Sequence, residues 1–169
     1  AAEQFTVDAG TIAAAASSIP EQLKEAIGLA KRNIEKFHLS QQEQTLKVET
    51  SPGVVCWREA RPIEKVGIYV PGGTAPLFST VLMLAVPARI AGCSEIVLCT
   101  PPDKDGTVHP AILYAASLAG VTRVVVLGGI QAIGAMCFGT HSVPKVEKIF
   151  GPGNQYVMTA KHAAQYYGT

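Results

Sequence analysis

Charged and aromatic side chains are both scarce in this chain, and their scarcity excludes several classes of protein. Only 16% of the 169 residues are charged and 7% are aromatic, whereas 48% are hydrophobic. A disordered segment shows the reverse balance, with few apolar residues and many charges. The net charge is +1 and no basic block is interleaved with aromatic residues, which argues against a nucleic-acid-binding protein. The composition therefore predicts a folded chain with a substantial core.

Three stretches lack charge altogether, namely residues 66–88, 106–122 and 124–144. Runs of about 20 apolar residues can cross a bilayer. The first stretch, however, contains Pro71, Gly72 and Gly73, so we interpret it as a strand, a glycine turn and a short helix rather than a membrane span. No basic segment followed by an apolar core opens the chain, and we expect no signal peptide.

The cysteines lack the spacing of a metal site or a redox motif. No Cys-x-x-Cys occurs, and no cysteine is paired with a histidine at metal-binding spacing. We expect buried, reduced thiols and hence a reducing, cytoplasmic compartment. Cys93 and Cys99 flank a predicted strand, so one of them could line a site. The four cysteines are Cys56, Cys93, Cys99 and Cys137.

The histidines and acidic residues also lack a recognisable catalytic or metal-binding arrangement. No histidine lies four residues from another or beside a carboxylate at metal spacing. We interpret Asp103 and Asp105 as part of a solvated loop. The residues alone therefore predict no metal ligand, catalytic acid, catalytic base or nucleophile. The histidines, for which we expect structural or surface roles, are His38, His109, His141 and His162.

The first part of the chain predicts two helices and a β-hairpin. Asp8 could cap a short alanine-rich helix over residues 9–17, and Pro20 lies near the start of a second helix, where its missing N–H costs little. Alternating segments at residues 45–49 and 54–60 predict a hairpin.

The rest of the chain alternates between short apolar strands and helices. Four βα units of this length predict a parallel sheet with helices on both faces, an α/β fold. Pro87 should kink or shorten the first helix of this region, and Gly120 should close the second in a left-handed conformation. Predicted strands cover residues 66–70, 95–100, 123–127 and 148–150, and predicted helices cover 78–91, 110–118, 131–138 and 154–166.

Three glycine turns each follow a predicted strand and precede a helix: residues 71–74 (PGGT), 128–131 (GGIQ) and 151–154 (GPGN). Such turns lie together at the carboxyl edge of a parallel sheet, where open α/β folds bind ligands. Glycine permits close approach of a ligand, and helix N-termini attract phosphate. The turns favour a nucleotide or phosphorylated ligand, although each glycine could simply make a tight turn. Neither the G-x-G-x-x-G fingerprint nor a phosphate loop is present.

The turns lie within longer motifs that resemble the histidinol dehydrogenase family. The motifs are VGIYVPGGTAPLFSTVLM at residues 66–83, GGIQAI at 128–133 and VPKVEKIFGPGN at 143–154. The resemblance covers essentially the whole chain, which is similar to an N-terminal portion of the family. It implies a zinc- and NAD-dependent homodimer that oxidises L-histidinol to L-histidine through the aldehyde, with two NAD molecules as hydride acceptors.

The resemblance also implies a domain division and a set of cofactor-binding residues. Residues 1–65 would form part of a first domain, made of helices and a β-ribbon. Residues 66–169 would form a nearly complete Rossmann-like NAD-binding domain. The family's NAD contacts match Tyr69, Gln131 and Asn154. From the residues alone, Tyr69 could equally be a core aromatic and Asn154 a helix cap.

The family's zinc ligands, acid–base pair and substrate-binding residues have no counterpart in this chain. The leading hypothesis is therefore a portion of a histidinol dehydrogenase that is inactive by itself and binds NAD weakly. The alternative is a stand-alone nucleotide-binding module without catalysis. Under the leading hypothesis apolar surfaces are left uncovered, and we expect the isolated chain to self-associate.

Overall fold

The computed structural model describes residues 5–73 and 75–167, so Thr74 of the first glycine turn and both chain ends lie outside the described residues. The predicted strands and helices are present, with ends that shift by three residues at most. Their bounds are α1 Ala9–Ala15, α2 Glu21–Leu39, β1 Leu46–Ser51, β2 Val54–Arg58, β3 Lys65–Tyr69, α3 Phe78–Ala91, β4 Glu95–Thr100, α4 Pro110–Ala119, β5 Arg123–Val126, α5 Gly129–Phe138, β6 Lys148–Phe150 and α6 Gln155–Gln165.

Strands β3 to β6 form a four-stranded sheet in the order β5-β4-β3-β6. All three strand pairs are parallel, which confirms the predicted α/β fold class. The chain moves outward from β3 to β4 and β5, then returns to place β6 on the other side of β3. The order therefore reverses between β3 and β6, and ligands of open α/β sheets bind at such a reversal.

Alternate residues of the strands enter two separate cores. Val66 and Ile68 of β3 face one core, which also contains the buried sides of α2, α3 and α4. Tyr69 of β3 and Val97 of β4 face the other core, which is covered by α5 and α6. Both faces of the sheet are thus buried, which explains the nearly continuous apolar strands and much of the shortage of charge.

Helix α1 packs on α4 and helix α2 packs on α3, and both contribute buried residues to the first core. Asp8 caps α1 as predicted, and its carboxylate accepts a hydrogen bond from the Thr11 backbone N–H at 2.9 Å. Ile19 and Ile27 are buried in the same core as β3. The predicted division into residues 1–65 and 66–169 is not tested by this packing and stays a prediction.

The predicted hairpin is present as the antiparallel pair β1 and β2. Every residue of both strands is exposed, and the side chain of Trp57 is 64% exposed. A two-stranded hairpin has little stability of its own in water. The ribbon formed by β1 and β2 therefore has two uncovered faces within the described part of the chain.

Pro87 does not shorten α3, so this half of the prediction is wrong, and the alternative of a kink stays a prediction. The helix continues beyond this proline to Ala91, and Gly92 ends it in a left-handed conformation with φ of 93°. The neighbouring Ala85 and Val86 are almost completely buried, so core packing offsets the hydrogen bond that Pro87 cannot make. Gly120 closes α4 as predicted, with φ of 80°.

Candidate functional site

The three glycine turns lie at one edge of the sheet, as the sequence predicted. In the parallel registers Tyr69 is opposite Cys99, and Ile68 is opposite Phe150. The turns that follow β3, β5 and β6 therefore leave the sheet at the same edge. We call this group, residues 71–73, 101, 128–131 and 151–154, the carboxyl edge.

Pro101 lies between two of the glycine turns and was not identified from the sequence. A Cβ placed on Gly128 would lie 2.6 Å from the Cβ of Pro101, and one placed on Gly72 would lie 2.9 Å from its Cγ. Real side chains do not approach this closely, so both positions require glycine. The contacts show that glycine here allows two turns to pack on a proline, which the turn interpretation alone did not predict.

The third glycine turn packs directly on the backbone of β3. Gly151 has φ of 125°, and a Cβ on it would overlap the carbonyl oxygen of Tyr69. A side chain at this position would thus meet both backbone strain and a steric clash. The main chains that follow β3 and β6 are thus in close contact where the strand order reverses.

Tyr69 is buried, with 4% of its surface exposed, and lies in the second core. Its hydroxyl oxygen accepts a hydrogen bond from the backbone N–H of Gly129, the first residue of α5, at 3.1 Å. The side chain therefore behaves as a core aromatic whose polar end reaches the carboxyl edge. The hydroxyl proton remains available to an acceptor at that edge.

Asn154 caps helix α6. Its side-chain oxygen accepts hydrogen bonds from the backbone N–H groups of Tyr156 and Val157, both at 3.1 Å. This geometry is the N-cap alternative considered from the sequence. The amide nitrogen of the same exposed side chain is not used by the cap, so it can still donate to a ligand.

Gln131 is exposed in the first turn of α5. Its side chain folds back over the helix start, and its Oε1 lies 2.9 Å from the place that a Cβ on Gly129 would take. The N-cap residue of this helix, Gly128, has no side chain to accept a hydrogen bond, so the N–H groups of the first turn beyond Gly129 give the carboxyl edge a partial positive charge.

Lys161 contacts the carboxyl edge from α6 and was not singled out from the sequence. Its ammonium group donates a hydrogen bond to the carbonyl oxygen of Gly151 at 3.0 Å. Burial lowers the pKa of Lys161 below its usual value of 10.5. The two residues are ten positions apart, and no local pattern indicates that this side chain turns back toward the glycine turn.

Three of the four cysteines are buried, which agrees with the sequence interpretation, but Cys56 is exposed on β2. Every residue of that strand is exposed, so the expectation of burial is wrong at this position. Cys99 lies beneath the carboxyl edge, and burial raises its pKa to about 12. A thiol with so high a pKa is a poor nucleophile near neutral pH.

His109 and Asp103 hold backbone groups of their own segments. His109 caps α4, with its Nδ1 accepting a hydrogen bond from the backbone N–H of Ala111 at 3.1 Å. Asp103 accepts hydrogen bonds from the backbone N–H groups of Asp105 and Thr107 within its own loop. Among residues 5–73 and 75–167, no group of three or more His, Cys, Asp or Glu side chains could hold a metal ion.

A groove of about 860 Å³ is lined by none of the residues of the glycine turns. It runs between the end of α2, residues 60–63 and α3.

Among residues 5–73 and 75–167, no helix has both the length and the apolar content that a membrane span requires.

A sequence model of the family named Histidinol dehydrogenase matches residues 1–168. The chain belongs to the histidinol dehydrogenase family. The family assignment made from the three motifs is therefore confirmed.

Individual relatives agree with the family match. The chain is 67% identical, over 157 residues, to a histidinol dehydrogenase of Bacteroides thetaiotaomicron, and the match covers 93% of this chain and 37% of that protein. It is 57% identical to a histidine biosynthesis trifunctional protein of Komagataella pastoris, covering 87% of this chain and 18% of that protein. The crystal structure of histidinol dehydrogenase from Elizabethkingia anophelis superposes with a TM-score of 0.94 at 57% identity, covering 98% of this chain and 38% of that one.

The chain thus spans little more than a third of the length of these histidinol dehydrogenases. Its fold is that of the corresponding part of the Elizabethkingia structure.

Proposed function

We propose that this chain is the NAD-binding, N-terminal portion of a histidinol dehydrogenase, a homodimeric cytoplasmic enzyme that oxidises L-histidinol to L-histidine through the aldehyde. The match of the family over 168 residues carries the proposal. The names of the relatives support a role in histidine biosynthesis.

The chemistry of the carboxyl edge supports the proposal of a bound dinucleotide. The first turn of α5 offers backbone N–H groups and a positive dipole to a phosphate. The Tyr69 hydroxyl, the Gln131 amide and the Asn154 amide would hold the cofactor by hydrogen bonds to ribose or phosphate oxygens. Bound NAD supplies the acceptor for a hydride.

Zinc has no comparable place among the described residues. No group of three potential ligands exists there, and zinc needs three or four. Cys99, which lies beneath the carboxyl edge, is not an activated thiol, since it is buried and its pKa is raised to about 12. We propose that the zinc ligands, the base and the substrate-binding residues belong to the rest of the full-length protein, and that this chain alone has no activity.

Calorimetry with NAD tests the proposed site in the full-length protein that contains this chain. We expect Gln131→Ala to weaken NAD binding about tenfold or more. Gln22→Ala provides a matched control, because this exposed glutamine lies on α2 and is not part of the carboxyl edge. Unchanged NAD affinity in Gln131→Ala would remove this residue from the site, and no NAD binding by the wild-type protein would refute the proposed function.

An activity assay tests the second half of the proposal. We expect the 169-residue chain to show no turnover with histidinol, NAD and zinc, and to bind NAD with a Kd above ~1 mM, or less than ~4 kcal/mol of binding free energy. Hydride transfer needs an oriented substrate and a base. Turnover near that of the full-length protein would contradict the proposal.

The alternative of a nucleotide-binding module without catalysis rests on the same carboxyl edge. It differs in its expected behaviour, because such a module would bind NAD in the micromolar range as the 169-residue chain alone. The calorimetric measurement on this chain therefore separates the two candidates.

A further inference from the structure

Within the described part of the chain, the one hydrogen-bond partner of the Lys161 ammonium group belongs to the carboxyl edge. The Nζ of Lys161 donates to the Gly151 carbonyl oxygen at 3.0 Å, and the side chain is partly buried. Within residues 5–73 and 75–167, no carboxylate lies within the 4 Å of an ion pair. Its ammonium group is thus directed at a backbone carbonyl.

Few other hydrogen bonds hold the turn at residues 151–154. Residue 152 is a proline and has no N–H to donate. Gly151 packs on the Tyr69 backbone, and Asn154 uses its side-chain oxygen to cap α6. Gly151 begins the turn, and helix α6 follows the turn at Gln155. The hydrogen bond from Lys161 therefore joins the first residue of the turn to α6.

This arrangement couples the lysine to Asn154 through the turn. A hydrogen bond from a charged donor is roughly twice as strong as one between neutral groups. Its loss would free the Gly151 carbonyl, and residues 151–154 would be held by the packing of Gly151 on Tyr69, the packing of Gly153 on Val157 and the Asn154 cap. The orientation of the Asn154 amide would then be less well defined.

We propose that Lys161 is a positioning residue for NAD binding, which acts by holding the turn at residues 151–154, and with it the Asn154 amide, through its hydrogen bond to the Gly151 carbonyl. This inference rests on the proposed function.

Lys148 offers a matched control for charge. It lies on β6, the strand that leads into the same turn, and its ammonium group is 5.9 Å from the centre of the Phe150 ring. It is exposed, and no hydrogen bond joins its side chain to the turn. Lys148→Met therefore removes the same charge near the carboxyl edge without removing the contact to Gly151.

The experiment compares Lys161→Met, Lys161→Arg and Lys148→Met in the full-length protein, with NAD affinity from calorimetry and KM and kcat from steady-state kinetics. We expect Lys161→Met to raise the Kd and the KM for NAD about tenfold while kcat changes less than twofold. Lys161→Arg, which keeps a charged donor, should recover most of the affinity. Lys148→Met should change the Kd less than twofold.

Equal effects of Lys161→Met and Lys148→Met would overturn the inference, since charge alone would then account for them. An unchanged Kd in Lys161→Met, or a kcat that falls as much as the affinity, would also overturn it. Should Lys161→Met fail to fold, Lys161→Gln replaces it under the same criteria. NAD binding by the wild-type protein tests the proposed function separately, so a failure of the inference is distinguishable from a failure of that function.

Discussion

The hydroxyl group of Tyr69 and the backbone N–H of Gly129 are joined by a hydrogen bond of 3.1 Å. The two residues are 60 positions apart, at the end of β3 and at the start of α5. One phenol therefore joins two of the three glycine turns while its ring is buried in the core beneath them.

Replacing Tyr69 by Phe should destabilise the protein by about 1 kcal/mol, because the Gly129 N–H loses its partner while the ring packing is kept. Urea unfolding of the 169-residue chain, followed by circular dichroism, measures the change. Tyr166→Phe is the control, since that side chain is 90% exposed, and it should have no effect. Equal stabilities of Tyr69→Phe and the wild type would show that the hydrogen bond contributes nothing.

Replacing Gly151 by Ala should destabilise the protein by about 2–4 kcal/mol, because the new Cβ meets the Tyr69 carbonyl as well as an unfavourable φ. Gly106→Ala is the matched control. Gly106 also has a positive φ, of 78°, but a Cβ there would meet nothing within 4 Å, so we expect a loss of only about 1 kcal/mol. The prediction fails if urea unfolding gives the same loss for both variants.

Substitutions of Asn154 should separate its cap from its proposed contact with NAD. Asn154→Ala removes the cap, and we expect it to lower stability by about 1 kcal/mol. Asn154→Asp keeps a capping oxygen but replaces the amide donor with a negative charge. It should therefore retain stability yet weaken NAD binding by the full-length protein at least tenfold. Wild-type NAD affinity in Asn154→Asp would leave the residue with a structural role alone.

Most of the fold was predictable because its signals are local. Apolar runs bounded by glycine and proline predicted α3, β4 and β6 with the bounds that the structure has. Pro87 did not shorten α3, because the cost of a proline is local whereas the burial of α3 depends on the whole core. The expected burial of Cys56 was wrong because β2 belongs to the exposed ribbon and packs in neither core.

The contacts of the carboxyl edge were less predictable than its location. The turns that follow parallel strands lie at the same edge of a sheet regardless of their side chains. The location of the carboxyl edge therefore followed from the strand pattern. The partners of Tyr69 and Lys161, and the place of Pro101 between two turns, depend on distances across the sheet. No periodicity in the sequence carries that information.

The stability of the protein should fall as the pH drops below 4. Hydrogen bonds from the Thr11 hydroxyl and N–H hold the pKa of Asp8 below its usual 3.8, and the backbone N–H of Thr107 does the same for Asp103. A lowered native pKa stabilises the fold above the unfolded pKa, and this contribution is lost as pH falls through the native value. Urea unfolding between pH 2 and 6 measures the slope.

The variants Asp8→Asn and Asp103→Asn identify the source of that acid sensitivity. Asparagine also caps helices but does not titrate in this range. Each variant should therefore show a shallower fall in stability below pH 4. Curves that parallel the wild type would assign the sensitivity to other carboxylates.

The 169-residue chain should self-associate, because the two-faced β-ribbon leaves apolar side chains in water. Trp57 of β2 is 64% exposed and Leu46 of β1 is 58% exposed. Light scattering after size exclusion, at concentrations from about 10 µM to 1 mM, should show a rising average mass. Trp57→Lys should reduce this rise and Gln22→Lys should not. A constant monomer mass for the unsubstituted chain would contradict the prediction.

The order of the strands also bears on how the chain folds. Strands β3, β4 and β5 pair with their neighbours in sequence, whereas β6 pairs with β3 across more than 80 residues, a separation that the hydrogen bond from the Lys65 N–H to Glu147 spans directly. Contacts between distant residues form slowly, because a long loop must close first. The half of the carboxyl edge that contains Asn154, together with Lys161 on α6, should therefore assemble last. The half that contains Gln131 should assemble before it.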